Sequence, residues 1–169
     1  NKIGTEGTVV VLEVPTSGSV SELRKKGFMD TIATIAPKMK ILTYATKFTR
    51  EDGLKDFADI LTSNPKIDAV YSMDDETSIG VLQAIKEANR TDIKVVTGGG
   101  GMQEYFNMMP TNTNIWLESA TYSPAMVRDA VDEAVAILGG EKVDAVKIIP
   151  TNIVDRDTYK QYLDANSPY

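Results

Sequence analysis

Few side chains in this sequence could do covalent chemistry. It contains no histidine and no cysteine. That removes the usual zinc and soft-metal ligands, the thiol nucleophile and the general base that titrates near neutrality. No serine sits in a GxSxG elbow. The residues with chemical potential are instead Arg24, Phe48, the adjacent acids Asp74 and Asp75, and the glycine run 98–101. Arg24 can snorkel from a helix or place two parallel hydrogen bonds on neighbouring hydroxyls or a carboxylate. Phe48 stands alone in a polar stretch, where it either plugs the core or offers a ring face to sugar C–H groups. Paired acids can serve acid–base chemistry or hold Mg²⁺, but sequence neighbours rarely converge on one substrate atom. We expect Asp75 to cap a helix, as acids at that position do, and Asp74 to face a cleft as a hydroxyl acceptor. The four glycines lack both the GxGxxG spacing and the Gly-Lys-Ser/Thr ending of phosphate loops. They read as a tight turn with close backbone approach to whatever the cleft holds. This inventory points to recognition without catalysis, cofactor or metal.

Strands and helices alternate so as to line these residues up. Residues 8–14, 39–44, 67–73, 93–97 and 114–119 are short β-branched or apolar runs of strand length. Between them lie amphipathic helices. The first carries Val20, Leu23, Phe28, Ile32 and Ile35 on one side; the second has Leu54, Phe57, Ala58 and Leu61 at the spacing of one buried face. A third begins at Asp74 and Asp75, and a short one lies around 103–109. A helix from Ser123 or Pro124 to Leu138, a strand near 146–150, an extended Ile153–Val154 and a polar helix over 155–163 complete the reading. Strict alternation with apolar strands argues for a parallel sheet with helices on both faces, a flavodoxin-like α/β lobe. Right-handed crossovers bring every strand's carboxyl end to one edge, where open α/β sheets bind ligands. Arg24, Phe48, Asp74, Gly99, Gln103 and Thr121 all fall in the segments that follow strands.

The 169 residues, 42% apolar and 25% charged, suffice for a packed core. A net charge of −6, with no basic run longer than Arg24-Lys25-Lys26, argues against a nucleic-acid partner. No apolar run approaches the roughly 20 residues of a membrane helix. The sequence opens Asn1-Lys2-Ile3-Gly4, so any targeting segment is expected outside it or not at all.

The order Arg24-Lys25-Lys26-Gly27-Phe28, then Phe48 before Gly53-Leu54, then Asp68-Ala69-Val70-Tyr71-Ser72-Met73-Asp74-Asp75-Glu76 running into Gly80, resembles the ribose-type periplasmic (type I) sugar-binding proteins of bacterial ABC transporters. The tail, with Tyr159, Tyr162, Leu163 and Asn166-Ser167-Pro168-Tyr169, resembles theirs too. The resemblance implies the C-terminal half of a two-lobed protein that closes on a monosaccharide. Residues 1–121 would form the sugar-binding lobe, 122–154 would return to an N-terminal lobe that this sequence lacks, and 155–169 would be a C-terminal helix and tail. By position, Arg24 matches the family's sugar-binding arginine, Phe48 its stacking aromatic, Asp74 its hydroxyl partner and Thr121 its hinge-side polar ligand. Where the family commonly reads Gly-Phe-Asp-Gly, the aspartate position is Gly99, so Asp74 or Gln103 takes over its role or the ligand differs from ribose. The implied partners are a neutral monosaccharide, the permease subunits of the transporter and the N-terminal lobe. The implied location is extracytoplasmic, in a periplasm or as a lipid-anchored lipoprotein. The effector domain of a LacI-type sugar-responsive repressor shares this fold and is the alternative; a flavodoxin-like enzyme is a third reading that the residue inventory does not support.

Overall fold

The computed structural model describes residues 2–122 and 126–167. A six-stranded sheet with strand order β2-β1-β3-β4-β5-β6 forms its frame. The strands are β1 (Glu6–Glu13), β2 (Lys38–Ala45), β3 (Ala69–Tyr71), β4 (Val95–Gly100), β5 (Trp116–Thr121) and β6 (Ile153–Asp155). The first five run parallel, and β6 pairs antiparallel with β5. The sheet is therefore mixed rather than wholly parallel, because the chain leaves at the end of β5 and re-enters alongside it. The helices are α1 (Ser19–Ile35), α2 (Arg50–Ser63), α3 (Asp75–Glu87), α4 (Gln103–Met108) and α5 (Met126–Leu138).

Alternation along the strands divides the core in two. Val10 and Leu12 of β1 join Phe57, Ile60, Val70, Leu82, Val96 and Phe106 beneath α2, α3 and α4. Val9 faces the other way and packs with Ala69, Met39, Phe28 and Ile32 beneath α1. On the first face α2 and α3 lie in intimate contact. A Cβ on Gly80 would come within 2.1 Å of the Arg50 carbonyl oxygen, and one on Gly53 within 2.5 Å of that of Thr77. Any side chain at either position would wedge the pair apart.

Four expectations are corrected. First, α1 buries only part of the face read from its spacing: Phe28 and Ile32 pack on the sheet, whereas Val20, Leu23 and Ile35 are exposed. Moving to β2 turns the crossover onto one face, while β2→β3→β4→β5 run the opposite way and place α2, α3 and α4 on the other. That leaves α1 alone on its face, with no second described helix beside it. Second, the glycines are not a turn after the fourth strand. Gly98, Gly99 and Gly100 extend β4 and pair with Ser119, Ala120 and Thr121. Third, residues 146–150 form no strand, and Val146 and Ile148 are exposed. Fourth, the helix expected over 155–163 is a strand end followed by a short 3-10 turn, Tyr159–Tyr162. Asp155 explains it: its Oδ1 accepts from the backbone N–H groups of Asp157 and Thr158 and from the Thr158 hydroxyl. Such an Asx-type turn competes with helix.

The expected start of α5 at Ser123 or Pro124 lies outside the described residues. From Met126 to Leu138 the helix buries no residue. Its apolar stripe, Val127, Val131, Val135 and Leu138, is exposed. Lys147 ties the segment after it to the helix through Asp129 and Glu133. No helix among the described residues is long and apolar enough to cross a membrane.

Candidate functional site

The carboxyl edge of the sheet gathers several of the residues singled out by sequence. Arg24 is placed by the helix turn that follows it. The Phe28 ring stacks on Tyr71 of β3 at 4.3 Å, and the Tyr71 hydroxyl donates to the Arg24 carbonyl (3.1 Å). This pins α1 to the end of β3. The Arg24 guanidinium then donates through Nη1 to the Met73 carbonyl (2.6 Å), and it lies 5.0 Å from the ring of Tyr122, just past β5. One donor face is thus spent on the protein. A guanidinium carries five N–H donors, which leaves others for the edge it overlooks. Tyr122 is 41% exposed and was not foreseen; being aromatic and adjacent to the expected Thr121, it was within reach of the sequence argument.

Of the two acids, Asp74 takes the capping role expected of Asp75, and Asp75 is buried instead. Asp74 is the N-cap of α3: its Oδ1 accepts from the Thr77 N–H at 2.9 Å. Its Oδ2 is buried and has no hydrogen-bond partner among the described residues. An unmade hydrogen bond on a buried carboxylate is costly, and none of the described residues supplies this one. Burial pushes the Asp74 carboxyl above its usual range and Glu76 adds to the rise, against the Thr77 hydrogen bonds and the Arg24 charge. Asp75 does not cap. It is fully buried, and its carboxylate accepts from the N–H groups of Gly101 (2.9 Å) and Met102 (2.8 Å) and from the Ser119 hydroxyl (2.8 and 3.0 Å). The correction follows from geometry: Asp74, before the first helical turn, has the extended backbone a cap needs, whereas Asp75 is turned onto β5 and the β4–α4 junction.

A web of hydroxyls fixes this junction. Ser78 donates between the carbonyls of Asp74 and Thr97, Ser72 lies beside the Asp74 carbonyl, and Thr97 donates to the Ser72 carbonyl. The β3–α3 turn is thereby riveted to β4. Protein atoms by themselves already require Gly98 and Gly99 here. A Cβ on Gly98 would meet Asp75 Oδ1 at 2.2 Å, and one on Gly99 would meet the Met73 carbonyl at 2.6 Å. Gly99 is buried in the strand and presents no side chain to the edge.

Phe48 is half-buried in the loop between β2 and α2 and belongs to neither core cluster. The same loop holds Thr46, whose buried Oγ1 has no partner among the described residues. The Thr77 hydroxyl donates to the Lys47 carbonyl, bringing this loop against the start of α3. Thr46 carried no signal in sequence beyond its place after a strand. Gln103 does not reach the edge as an open amide. Its Nε2 donates to the Tyr162 carbonyl (3.0 Å) and its Oε1 accepts from the Asp164 N–H (2.9 Å), so it clamps the tail. Thr121 ends β5 and joins the chain's exit to its return: its N–H donates to the Asn152 carbonyl (2.8 Å), and its Oγ1 accepts from the Asn152 N–H (3.1 Å).

At the rim, Arg50 bridges α2 to α3 and α4 by one hydrogen bond to Glu76 and a forked pair to Glu104. Two cavities, of about 990 and 410 Å³, lie elsewhere. The first is lined by Arg90, Lys94 and Asn112 at the amino ends of β4 and β5, the second by Phe28, Tyr71 and Trp116 on the α1 face. Among the described residues no group of three or more acids stands together as a metal site. The edge thus brings together Arg24, with donors to spare, and Asp74, with Tyr122 beside the guanidinium and Thr46 and Phe48 in the β2–α2 loop.

That fold and edge define a type I periplasmic binding protein lobe. Residues 1–142 match the model of the periplasmic binding protein domain, and the chain belongs to that family. It is 30% identical to the xylitol-binding protein of Mycolicibacterium smegmatis over 89% of this chain and 43% of that one. It is 29% identical to the ribose import binding protein RbsB of Escherichia coli over 85% of this chain and 48% of that one. Among solved structures it superposes with a TM-score of 0.83 at 27% identity on the binding protein of the arabinose ABC transporter from Shewanella sp. ANA-3, covering 94% of this chain and 54% of that one. The chain spans about half the length of the curated relatives it matches.

Proposed function

We propose that this chain is the C-terminal part of an extracytoplasmic solute-binding protein that captures a neutral monosaccharide or a closely related polyol and delivers it to an ABC transporter permease. The observation that carries the reading is the buried Oδ2 of Asp74, without a partner among the described residues, one residue beyond the Met73 carbonyl that Arg24 holds. A polyol needs both acceptors and donors, and this pair supplies them. Phe48 and Tyr122 supply apolar faces for C–H groups. Relatives named for ribose, xylitol and allose support the ligand class. Gly99 withholds a second acceptor, so the ligand is read as making fewer contacts here than at an edge with an aspartate in that place.

In this reading the ligand lies between this edge and an N-terminal lobe. The chain leaves at Thr121 and returns at Asn152, side by side, and between them α5 keeps its apolar stripe exposed. About half of each relative's length lies outside the match. Ile153 and Val154 pair with β5 in this sheet, so the segment expected to return to that second lobe, 122–154, is read as 122–152, with Val127, Val131 and Leu138 packing on it. The protein binds and releases its ligand without chemical change. A thermal-shift screen of the full-length protein against neutral pentoses, hexoses and alditols tests this: stabilisation by at least one supports it, and none across the panel sinks it.

A further inference from the structure

Asp75 touches no ligand in the reading above, yet three chain segments meet on its carboxylate. It follows directly on Asp74 and is fully buried. From the β4–α4 junction it receives the N–H groups of Gly101 and Met102; from β5 it receives the Ser119 hydroxyl. Gly98 passes so close that a Cβ there would overlap Oδ1. Both backbone N–H groups meet on Oδ2 and the Ser119 hydroxyl reaches Oδ1, so one side chain closes all three contacts. Two residues beyond Ser119, Thr121 makes the paired bonds to Asn152 that join the outgoing and returning strands. A short covalent and hydrogen-bonded path thus runs from Asp74 through Asp75 and Ser119 to the crossing point at Thr121 and Asn152.

We propose that Asp75 is a positioning residue that holds the ligand-contacting turn at Asp74 in fixed register with the strand through which the chain leaves the lobe. It deepens the proposed sugar-binding reading and rests on it for the effect on affinity, but not for the structural coupling. An isolated core acid would stabilise the lobe evenly. A positioning acid sets the local order of Gly101, Met102, Thr121 and Asn152, and with it the place of the Asp74 acceptor.

The test is amide hydrogen exchange on full-length protein without ligand, wild type against Asp75→Ala and Ser119→Ala, followed by titration with ribose and xylitol. Asp75→Ala, which removes all three contacts, is expected to speed exchange at Gly101, Met102, Thr121 and Asn152 by tenfold or more while leaving Val10 and Val11 of β1 unchanged. Ser119→Ala, which removes only the tie to β5, is expected to act at Thr121 and Asn152 more weakly, and it carries the test if Asp75→Ala does not fold. Affinity for whichever probe binds should fall at least tenfold in Asp75→Ala at a temperature well below its melting point. Uniformly faster exchange over the whole sheet, or unchanged exchange at Thr121 and Asn152, would overturn the positioning role. If wild type binds neither probe, the ligand reading fails on those probes, while the exchange pattern still decides the coupling.

Discussion

Gly98 and Asp75 are in such close register that a methyl group on the glycine would sit 2.2 Å from the buried carboxylate oxygen. That oxygen is held by the Ser119 hydroxyl and cannot swing aside without breaking a buried hydrogen bond. Gly98→Ala is therefore expected to destabilise the lobe by about 1–3 kcal/mol, the usual cost of overpacking. Gly80→Ala should cost at least as much, because the clash is with backbone of α2. Gly27, in α1 with nothing within 4 Å of its would-be Cβ, should behave oppositely. Gly27→Ala should stabilise by about 0.5–1 kcal/mol through helix propensity. Denaturant unfolding of the three variants checks both signs.

The acid limb of stability is expected to depend on the Arg90–Asp92 pair. Arg90 donates twice to Asp92 and twice more through Nη1, to the carbonyls of Leu61 and Asn64. Those bonds, with one from the Ile67 N–H, hold the Asp92 carboxyl far below its ordinary range. A depressed carboxyl contributes stability that is complete above its unfolded value near 3.8 and is lost as pH falls towards and through its folded value. Asp74 and Asp75 have the opposite sign, since burial raises both: their ionisation makes a contribution to stability that falls as pH rises through the unfolded value towards the folded one. Asp92→Asn should flatten the loss of stability between about pH 4 and 2, lowering stability at pH 7 by about 1.5–3 kcal/mol. Melting curves across that range would show it.

Arg24→Ala and Asp74→Ala should each weaken ligand binding by about 10- to 150-fold, the equivalent of about 1.5–3 kcal/mol for a charged hydrogen bond. Arg24→Lys should not restore affinity, because a point charge cannot both hold the Met73 carbonyl and fork onto a ligand. Titration by calorimetry on folded variants provides the measurement; unchanged affinity in both alanine variants would place the ligand elsewhere.

Gln103→Ala should leave affinity within a factor of two and instead loosen the tail. Both ends of its amide are engaged by Tyr162 and Asp164. Amide exchange at Asp164 should rise. A large loss of affinity would return Gln103 to the ligand edge.

The strand–helix order and the edge were legible because apolar runs and amphipathic spacing report burial, and crossover handedness then fixes where the loops go. The places of Arg24, Phe48 and Asp74 on that edge followed from the same argument. Roles inside a pair of like residues were not legible. Asp74 and Asp75 are chemically identical, and only the backbone turn decides which caps and which is buried. The glycine run was misplaced because extended strand and tight turn both accept glycine; the deciding contacts come from Met73 and Asp75, more than twenty residues earlier. The exposed half of α1 was invisible for a different reason, since apolar spacing says which side seeks cover but not whether cover is present.

The central claim is the proposed ligand class, and the edge's charge balance supports it. Arg24 stands against Asp74, with Glu76 nearby, and Glu76 and Glu104 already share Arg50. A dianionic phosphate would meet these carboxylates, and helix N-termini compensate by only about 0.3–1 kcal/mol each in exposed sites. The most direct measurement is calorimetric titration of the full-length protein with a free sugar, ribose or allose, and with the same sugar's phosphate ester. The account predicts saturable heat with the free sugar and none with the ester; tighter binding of the ester would contradict it.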